Sequence, residues 1–239
     1  MADPGPPQPT PNPSPPPKRN QDRDFLLHLE SYLAHRDGVD KLLKISRYTA
    51  KLLLSSSSLP KTLTPNLKSF DSSVGLSRKA FRLGKFVQDL NSLRLSNPSS
   101  PSDLALVLLA YGGEGVYYFI EQLVWLSKTG LISPNYAKKF SKISAWAELI
   151  GYVGSITMKV RDLRELRLRL ELVKADEERG KLEEKVMMKT LSIVQDLADA
   201  VMAVADVRDG KGAMTGPTLM ASAGLVSAVI STHKNWKSC

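Results

Sequence analysis

The 239-residue chain has little of the side-chain chemistry on which most enzymes depend. Its one cysteine is the terminal Cys239, which excludes an internal disulfide, a CxxC pair and a thiolate metal site. Among three histidines, His28 and His35 lie seven residues apart, but two imidazoles without a third ligand do not predict a metal site. No Ser-His-Asp or Cys-His arrangement can be proposed for nucleophilic catalysis. We therefore expect no enzymatic activity, no metal and no cofactor.

The N-terminal region lacks the basic start and the long apolar run of a secretory signal. Nine of the first seventeen residues are prolines, which predicts an extended or disordered tail over residues 1–20. The sequence also contains no N-x-S/T glycosylation site free of proline. Both features fit a chain that does not enter the secretory route.

Positive charge is in excess. The chain carries 33 Lys and Arg against 24 Asp and Glu, a formal net charge of +9. This balance favours an acidic partner, either anionic lipid or nucleic acid, and charge alone does not separate the two.

The clearest pattern lies between Leu76 and Leu90. On a continuous helix, five apolar residues recur at spacings of four and three and form one stripe: Leu76, Ala80, Leu83, Val87 and Leu90. Three cations fall on the flank of this stripe: Arg78, Arg82 and Lys85. Such a helix can lie in a membrane interface, with its stripe among acyl chains and its cations at anionic headgroups. The alternative is a surface helix that covers a soluble core.

An earlier stretch repeats this chemistry. Residues 39–54 place Leu42, Ile45 and Leu52 on one face. Three cations lie beside that face: Lys44, Arg47 and Lys51. We therefore expect residues 21–96 to form cytosolic amphipathic helices, including a membrane-bending helix over 67–92, with six cations available to anionic lipid.

Residues 103–158 are predicted to form a hydrophobic helical hairpin or a first membrane segment. The 23 residues 104–126 are mostly apolar, and as a helix of about 34 Å they are long enough to cross a bilayer. Glu114 and Glu121 share one face, which leaves open a helix that lies at the interface or is partly buried, or a channel lined by these carboxylates. In the following apolar run, a small-residue ridge is expected to pack against another helix: Ala147, Gly151 and Ser155.

The C-terminal half changes character twice. Residues 159–211 interleave charges of both signs, which predicts a solvated helical region suited to pairing with another helix. Residues 212–232 carry no formal charge and are predicted to form a C-terminal transmembrane helix, with Gly224 and Ala228 as a packing face. A short basic tail, 233–239, follows. The expected fold is an all-α integral membrane protein.

Two segments resemble the N-terminal blocks of the peroxin-11 family of peroxisomal membrane proteins: RDGVDKLLKISRYTAKLL (Arg36–Leu53) and SSVGLSRKAFRLGKFVQDL (Ser72–Leu90). The serine- and proline-rich additions are similar to those of a plant member. The resemblance implies that the helix at Leu76–Leu90 inserts into the bilayer and bends it, and that both termini face the cytosol. It also implies self-association or pairing with paralogues, and recruitment of organelle fission machinery.

Together, the residues and the resemblance indicate a protein that elongates the peroxisomal membrane and promotes peroxisome proliferation and fission. Two alternatives are a membrane channel for small metabolites and, less favoured, a soluble basic nucleic-acid-binding protein. The uncharged run at 212–232 argues against the last alternative, so nucleic acid is not the expected partner.

Overall fold

The computed structural model of the chain describes residues 25–56, 60, 62–173, 175–212 and 215–238. Within these ranges all regular secondary structure is helical, which confirms the all-α prediction. The proline-rich tail predicted for residues 1–20 lies outside the described residues.

In the part of the chain that the structure describes, four helices precede the central hydrophobic region: α1 (Phe25–Ala34), α2 (Arg36–Leu54), α3 (Leu63–Phe81) and α4 (Phe86–Leu95). α1 and α2 are nearly continuous and change direction at His35, whose backbone is extended. α2 lies between α3 and the C-terminal helix of the chain. The amphipathic segments predicted from the sequence are therefore helical.

The helix predicted over residues 67–92 is interrupted in the structure. α3 ends at Phe81 and α4 begins at Phe86, with a turn between them. Gly84 has a φ of 71°, a left-handed conformation that glycine adopts readily because it has no Cβ. The Arg36 guanidinium donates a hydrogen bond of 2.6 Å to the carbonyl of Leu83 in this turn. The structure thus corrects the prediction of one continuous helix to two helices joined by a tight turn.

The central hydrophobic region is one long helical rod with three parts: α5 (Pro101–Val107), a π-helical turn (Leu108–Gly112) and α6 (Gly113–Lys128). The Ser100 side chain caps its start by accepting a hydrogen bond from the backbone N–H of Asp103 at 3.1 Å. Among the residues described, Pro101–Lys128 is the one helix long and apolar enough to cross a membrane. Only 17% of its most apolar window is buried within the protein, unlike the core helix of a soluble domain.

Three longer helices complete the fold: α7 (Ala137–Leu172), α8 (Asp176–Val207) and α9 (Pro217–Ser238). α7 returns along α6, α8 returns along α7, and α9 packs against both α8 and α2. α9 covers much of the predicted C-terminal membrane segment, but unlike Pro101–Lys128 it is not a helix both long and apolar enough to cross a membrane. Instead, it turns a face of small residues into the bundle: Ala221, Gly224, Ser227, Ala228 and Ser231.

Glycine allows α7 to approach the central rod closely. A Cβ atom on Gly154 would lie 2.4 Å from the backbone nitrogen of Ala110, and one on Gly113 would lie 2.6 Å from that of Gly151. Neither position has room for a side chain, so these two helices pack backbone against backbone as small residues permit.

Candidate membrane-binding surface and polar interior

The predicted membrane-inserting residues lie toward the outside of the bundle. Leu83, Val87 and Leu90 are 53%, 46% and 55% exposed. Ala80 is exposed and Leu76 is half-buried. We call the three large side chains, Leu83, Val87 and Leu90, the outer stripe. An exposed apolar stripe is costly in water and favourable in contact with lipid.

The outer stripe is held against the candidate span. Phe86, at the start of α4, packs edge-on against Phe119 of α6, with ring centroids 5.6 Å apart. Such aromatic pairs add roughly 0.5–1.5 kcal/mol beyond the area that they bury. α4 therefore lies beside the helix most suited to cross the bilayer.

Large apolar side chains are also exposed on the other helices. They occur on the central rod, on α7 and on α9: Leu104, Leu108, Val116, Phe119, Trp146, Ile150, Val153, Val226 and Val229. Exposed apolar surface of this extent marks a contact with lipid or with another protein.

The interior of the bundle contains buried ion pairs, beginning with Asp40. This carboxylate is 1% exposed and accepts a 2.9 Å hydrogen bond from Arg78 of α3. The Arg82 guanidinium lies 3.5 Å from its other oxygen. Burial opposes ionisation of Asp40, but Arg82 and Arg78 outweigh it and hold the pKa of this carboxyl well below its usual range. The pairs connect α2 to the segment that carries the outer stripe.

A second buried pair joins α2 to α8 and α9. The Lys44 ammonium donates to Asp199 at 2.9 Å and to the Ser227 hydroxyl at 2.6 Å. Ser227 in turn donates to the other oxygen of Asp199 at 2.6 Å. Every member of this triad is buried and paired, as buried charge requires.

The six cations predicted to bind lipid therefore occupy different positions from those expected. Lys44 and Arg78 are buried in ion pairs, and Arg82 is half-buried beside Asp40. The other three are also half-buried: Arg47 pairs with Asp71, Lys85 lies 3.5 Å from Asp37, and Lys51 lies over the Tyr48 ring. In this arrangement Lys44 and Arg78 do not reach a surface that a headgroup could contact.

Sequence reasoning missed the acidic partners of these cations. Asp196 and Asp199 lie three residues apart on α8 and face inward, whereas Val194 and Leu197 face outward. Asp196 accepts hydrogen bonds from Ser155 and Lys159 of α7. The sequence did contain a signal, namely two aspartates one helical turn apart within an otherwise apolar stretch. Burying a carboxylate costs free energy unless it is paired, so these aspartates call for cationic partners.

Glu114 and Glu121 of the candidate span also face inward. Glu121 is buried, forms an ion pair with Lys79 of α3 and accepts a 3.3 Å hydrogen bond from Ser144 of α7. Glu114 lines a small interior cavity of about 170 Å³, with Lys41 and Lys159 in the same wall. The polar face of this helix is therefore turned toward protein.

The predicted packing residues take several roles. Gly151 meets the backbone of α6, and Ala147 is buried near the same contact. Ser155 instead donates to Asp196 of α8 at 2.8 Å. The space above Gly224 is filled by the Tyr48 ring, since a Cβ there would lie 2.1 Å from the ring. Ala228 is fully buried.

The described residues contain no cluster of three His, Cys, Asp or Glu side chains placed to hold a metal ion. A cavity of about 900 Å³ lies between α2, α3 and α6 on one side and α7 and α8 on the other. We call it the basic cavity because its wall includes eight cations: Lys44, Arg47, Arg78, Lys79, Arg82, Lys138, Lys139 and Lys142.

Comparison with known proteins decides the family. The family model described as peroxisomal biogenesis factor 11 matches residues 26–236, which is nearly the whole helical region. The chain belongs to the peroxisomal biogenesis factor 11 family. The description of this family names a biogenesis factor and no catalysed reaction.

Two of the similar proteins are plant members of the peroxisomal biogenesis factor 11 family. The chain is 56% identical to peroxisomal membrane protein 11A of Arabidopsis thaliana, over 92% of this chain and 95% of the relative. It is 57% identical to peroxisomal membrane protein 11-3 of Oryza sativa subsp. japonica, over 91% of each chain. No solved structure matches the chain. The predicted resemblance to a plant member of the family is thereby confirmed.

Proposed function

We propose that the chain is a peroxisomal membrane remodelling protein that elongates the organelle membrane and promotes its proliferation and fission. One observation carries the mechanism: the outer stripe faces outward while the cations beside it are held inward. The family assignment supports the compartment, because the relatives are named peroxisomal membrane proteins.

In this mechanism the outer stripe acts as a wedge in one leaflet. Burying half-exposed Leu and Val side chains in hydrocarbon yields roughly 1 kcal/mol each. Area added to one leaflet favours positive curvature, and association of several copies or paralogues concentrates that curvature into a tubule for fission machinery. The buried ion pairs of Asp40 anchor the wedge to the bundle. The half-buried cations remain the candidates for contact with lipid headgroups: Arg47, Lys51, Arg82 and Lys85.

The arrangement of the helices supports a topology with both termini in the cytosol. The imidazole Nε2 of His28 in α1 donates a 2.9 Å hydrogen bond to the carbonyl of Trp236 in α9, so the first and last described helices meet. If Pro101–Lys128 crosses the bilayer, α7 must return beside it to bring the ends together. Residues 101–158 then form a hairpin that enters and leaves by the same face.

The test is substitution of the outer stripe in the full chain. We expect Leu83→Asp with Val87→Asp to abolish elongation of peroxisomes in cells, because two buried carboxylates oppose insertion. The matched control is Leu168→Asp with Leu172→Asp, which changes two exposed leucines in the charged part of α7. Retention of each variant in the membrane is checked by extraction with alkaline carbonate. If the Leu83→Asp, Val87→Asp variant stays in the membrane pellet and elongates peroxisomes as the unaltered chain does, the wedge mechanism is contradicted.

A small-metabolite channel is the second candidate, favoured by the inward-facing carboxylates of the span. Glu121 lines the basic cavity and Glu114 lines the smaller one. A channel predicts conductance in planar bilayers that changes in Glu114→Gln and Glu121→Gln. Conductance equal to that of the bare bilayer would exclude the channel, and the wedge mechanism would then be the one candidate left.

A further inference from the structure

We propose that the basic cavity is a binding site for an anion carrying two or more phosphate groups. The cavity is distinct from the outer stripe and is not needed for the wedge mechanism. Its volume of about 900 Å³ lies at the upper end of the range that small-molecule sites occupy, roughly 300–1,000 Å³.

The cavity has an open mouth and a closed floor. Asn135, Lys138 and Lys139 at its rim are exposed, whereas Arg78 and Ser144 at its floor are buried. A ligand can therefore enter from solvent at the start of α7 and be enclosed between α3 and α7. Enclosure strengthens charge interactions because it excludes water.

The charges that line the cavity favour an anion. The wall contains eight cations and four carboxylates: Glu121, Glu148, Asp206 and Asp209. Five of the cations already have a carboxylate partner, in the wall or behind it: Lys44, Arg47, Arg78, Lys79 and Arg82. Lys138 and Lys139 have no carboxylate within 4.0 Å among the described residues, and Lys142 pairs with the exposed Asp209. The unbalanced charge is thus concentrated at the mouth, where it attracts anions.

Arg47 supplies a second feature of a phosphate site. Its Nε donates to Asp71 at 2.8 Å, and the described hydrogen bonds leave its two terminal amino groups without an acceptor. The guanidinium lies where a side chain of residue 75 would otherwise be, since a Cβ on Gly75 would be 3.0 Å from its Cζ. Gly75 therefore makes room for the guanidinium in the cavity wall. The forked donors of arginine match phosphate oxygens.

The requirement for more than one phosphate follows from the carboxylates in the wall. A singly charged anion gains little binding free energy here, because several of the cations already have carboxylate partners. A multiply charged anion can bridge the lysines of the mouth and the Arg47 guanidinium together. Ser141, Ser144 and Asn135 offer neutral hydrogen bonds to the rest of such a ligand.

Phosphate clusters of this kind occur in soluble anions and in phosphoinositide headgroups, and the experiment has one arm for each. In the first, inorganic pyrophosphate is titrated calorimetrically into the full chain in neutral detergent. In the second, the chain is floated with phosphatidylcholine vesicles, with or without phosphatidylinositol bisphosphate. Saturable pyrophosphate binding without a vesicle effect assigns a soluble anion. Flotation that depends on the phosphoinositide and is competed by pyrophosphate assigns a headgroup.

Lys138→Gln with Lys139→Gln tests the mouth without disturbing a described ion pair. We expect it to weaken pyrophosphate binding by about tenfold or more, since it removes two charge-assisted contacts. Gly75→Ala should also weaken binding by displacing Arg47. The matched control is Arg164→Gln with Arg167→Gln, two exposed cations of α7 outside the cavity, which should bind as the unaltered chain does.

Absence of saturable binding in both arms would overturn the proposal, as would equal binding by the Lys138→Gln, Lys139→Gln variant and the control. The Leu83→Asp, Val87→Asp variant separates this proposal from the wedge mechanism. It should bind pyrophosphate unchanged even though it no longer elongates membranes.

Discussion

Asp40 shows how one residue determines the arrangement of the N-terminal helices. It is buried on α2 and is bound by two arginines from the end of α3 and the following turn. Removing one member of a buried ion pair leaves the other charge without a partner, which costs about 3–5 kcal/mol. The arginines of the stripe segment are therefore structural in this fold.

Asp40→Asn is expected to lower the melting temperature of the full chain in detergent, because Arg78 and Arg82 lose their buried counter-charge. The control is Asp71→Asn, which breaks the half-buried pair with Arg47; this pair is less buried than those of Asp40, so its loss should lower the melting temperature less. Equal melting temperatures for the two variants would show that the buried pair contributes no more than the peripheral one.

The pH dependence of the same residue has a definite sign. The pKa of Asp40 is depressed in the folded chain, so its stabilisation is fully present above the unfolded pKa of about 4. It is lost as the pH falls from that value toward the folded pKa. The pH range from 6 to 3 runs from about two units above the unfolded pKa to about one unit below it. Over this range the melting temperature should therefore fall more steeply in the unaltered chain than in Asp40→Asn. Parallel profiles would contradict this linkage.

At the scale of elements, the turn at Gly84 matters most. A helical period through Leu76–Leu90 is present in the sequence, and the two halves of that stretch are helical. The pattern of apolar residues does not reveal the interruption, because both sides of it are helical and each carries the same spacing of three or four residues. Only a glycine within the stretch gave a signal, and glycine alone does not specify a turn.

Gly84→Ala is expected to destabilise the chain by about 1 kcal/mol, because a Cβ is strained at positive φ. The matched control is Gly180→Ala in α8, an exposed helical position with open space around it. There alanine should stabilise the helix by roughly 0.5–1 kcal/mol. Thermal unfolding of both variants measures the contrast, and stabilisation by both would show that α3 and α4 join into one helix.

The contact between α7 and the central rod gives a second prediction at this scale. Gly154→Ala should destabilise the chain by about 1–3 kcal/mol, because the new methyl group would meet the backbone of Ala110. Gly112→Ala is the control, since a Cβ at that position meets nothing within 4 Å. If both variants melt alike, the close approach of the two helices does not exist in the membrane.

At the scale of the whole molecule, the bundle buries polar and charged side chains beside small apolar ones, and it exposes many of its large apolar side chains. Several of the cations that contribute to the net charge of +9 are turned inward on α2 and α3. The bundle leaves large apolar side chains exposed on helices that are too polar to be recognised as spans from composition. The interior face of α8 carries Asp196 and Asp199, and that of α9 carries Ser227 and Ser231.

The meeting of α1 with α9 predicts that both chain termini lie on one side of the membrane. Tags placed at the N-terminus and at the C-terminus should both be removed by protease added to intact, isolated peroxisomes. The matrix contents of the same organelles, which the protease cannot reach, are the control. Protection of one tag and not the other would contradict the hairpin arrangement of residues 101–158.

The sequence by itself determined the helical class, the location of the apolar stripe and the family to which the chain belongs, because periodicity and motif similarity are local properties of the chain. It did not determine which side of each helix faces inward. The Lys44–Asp199 pair joins residues 155 positions apart, and such a contact has no local signature. Tertiary structure turned Lys44 and Arg78 inward because each finds a carboxylate there, which stabilises a buried charge that lipid or an apolar core would exclude.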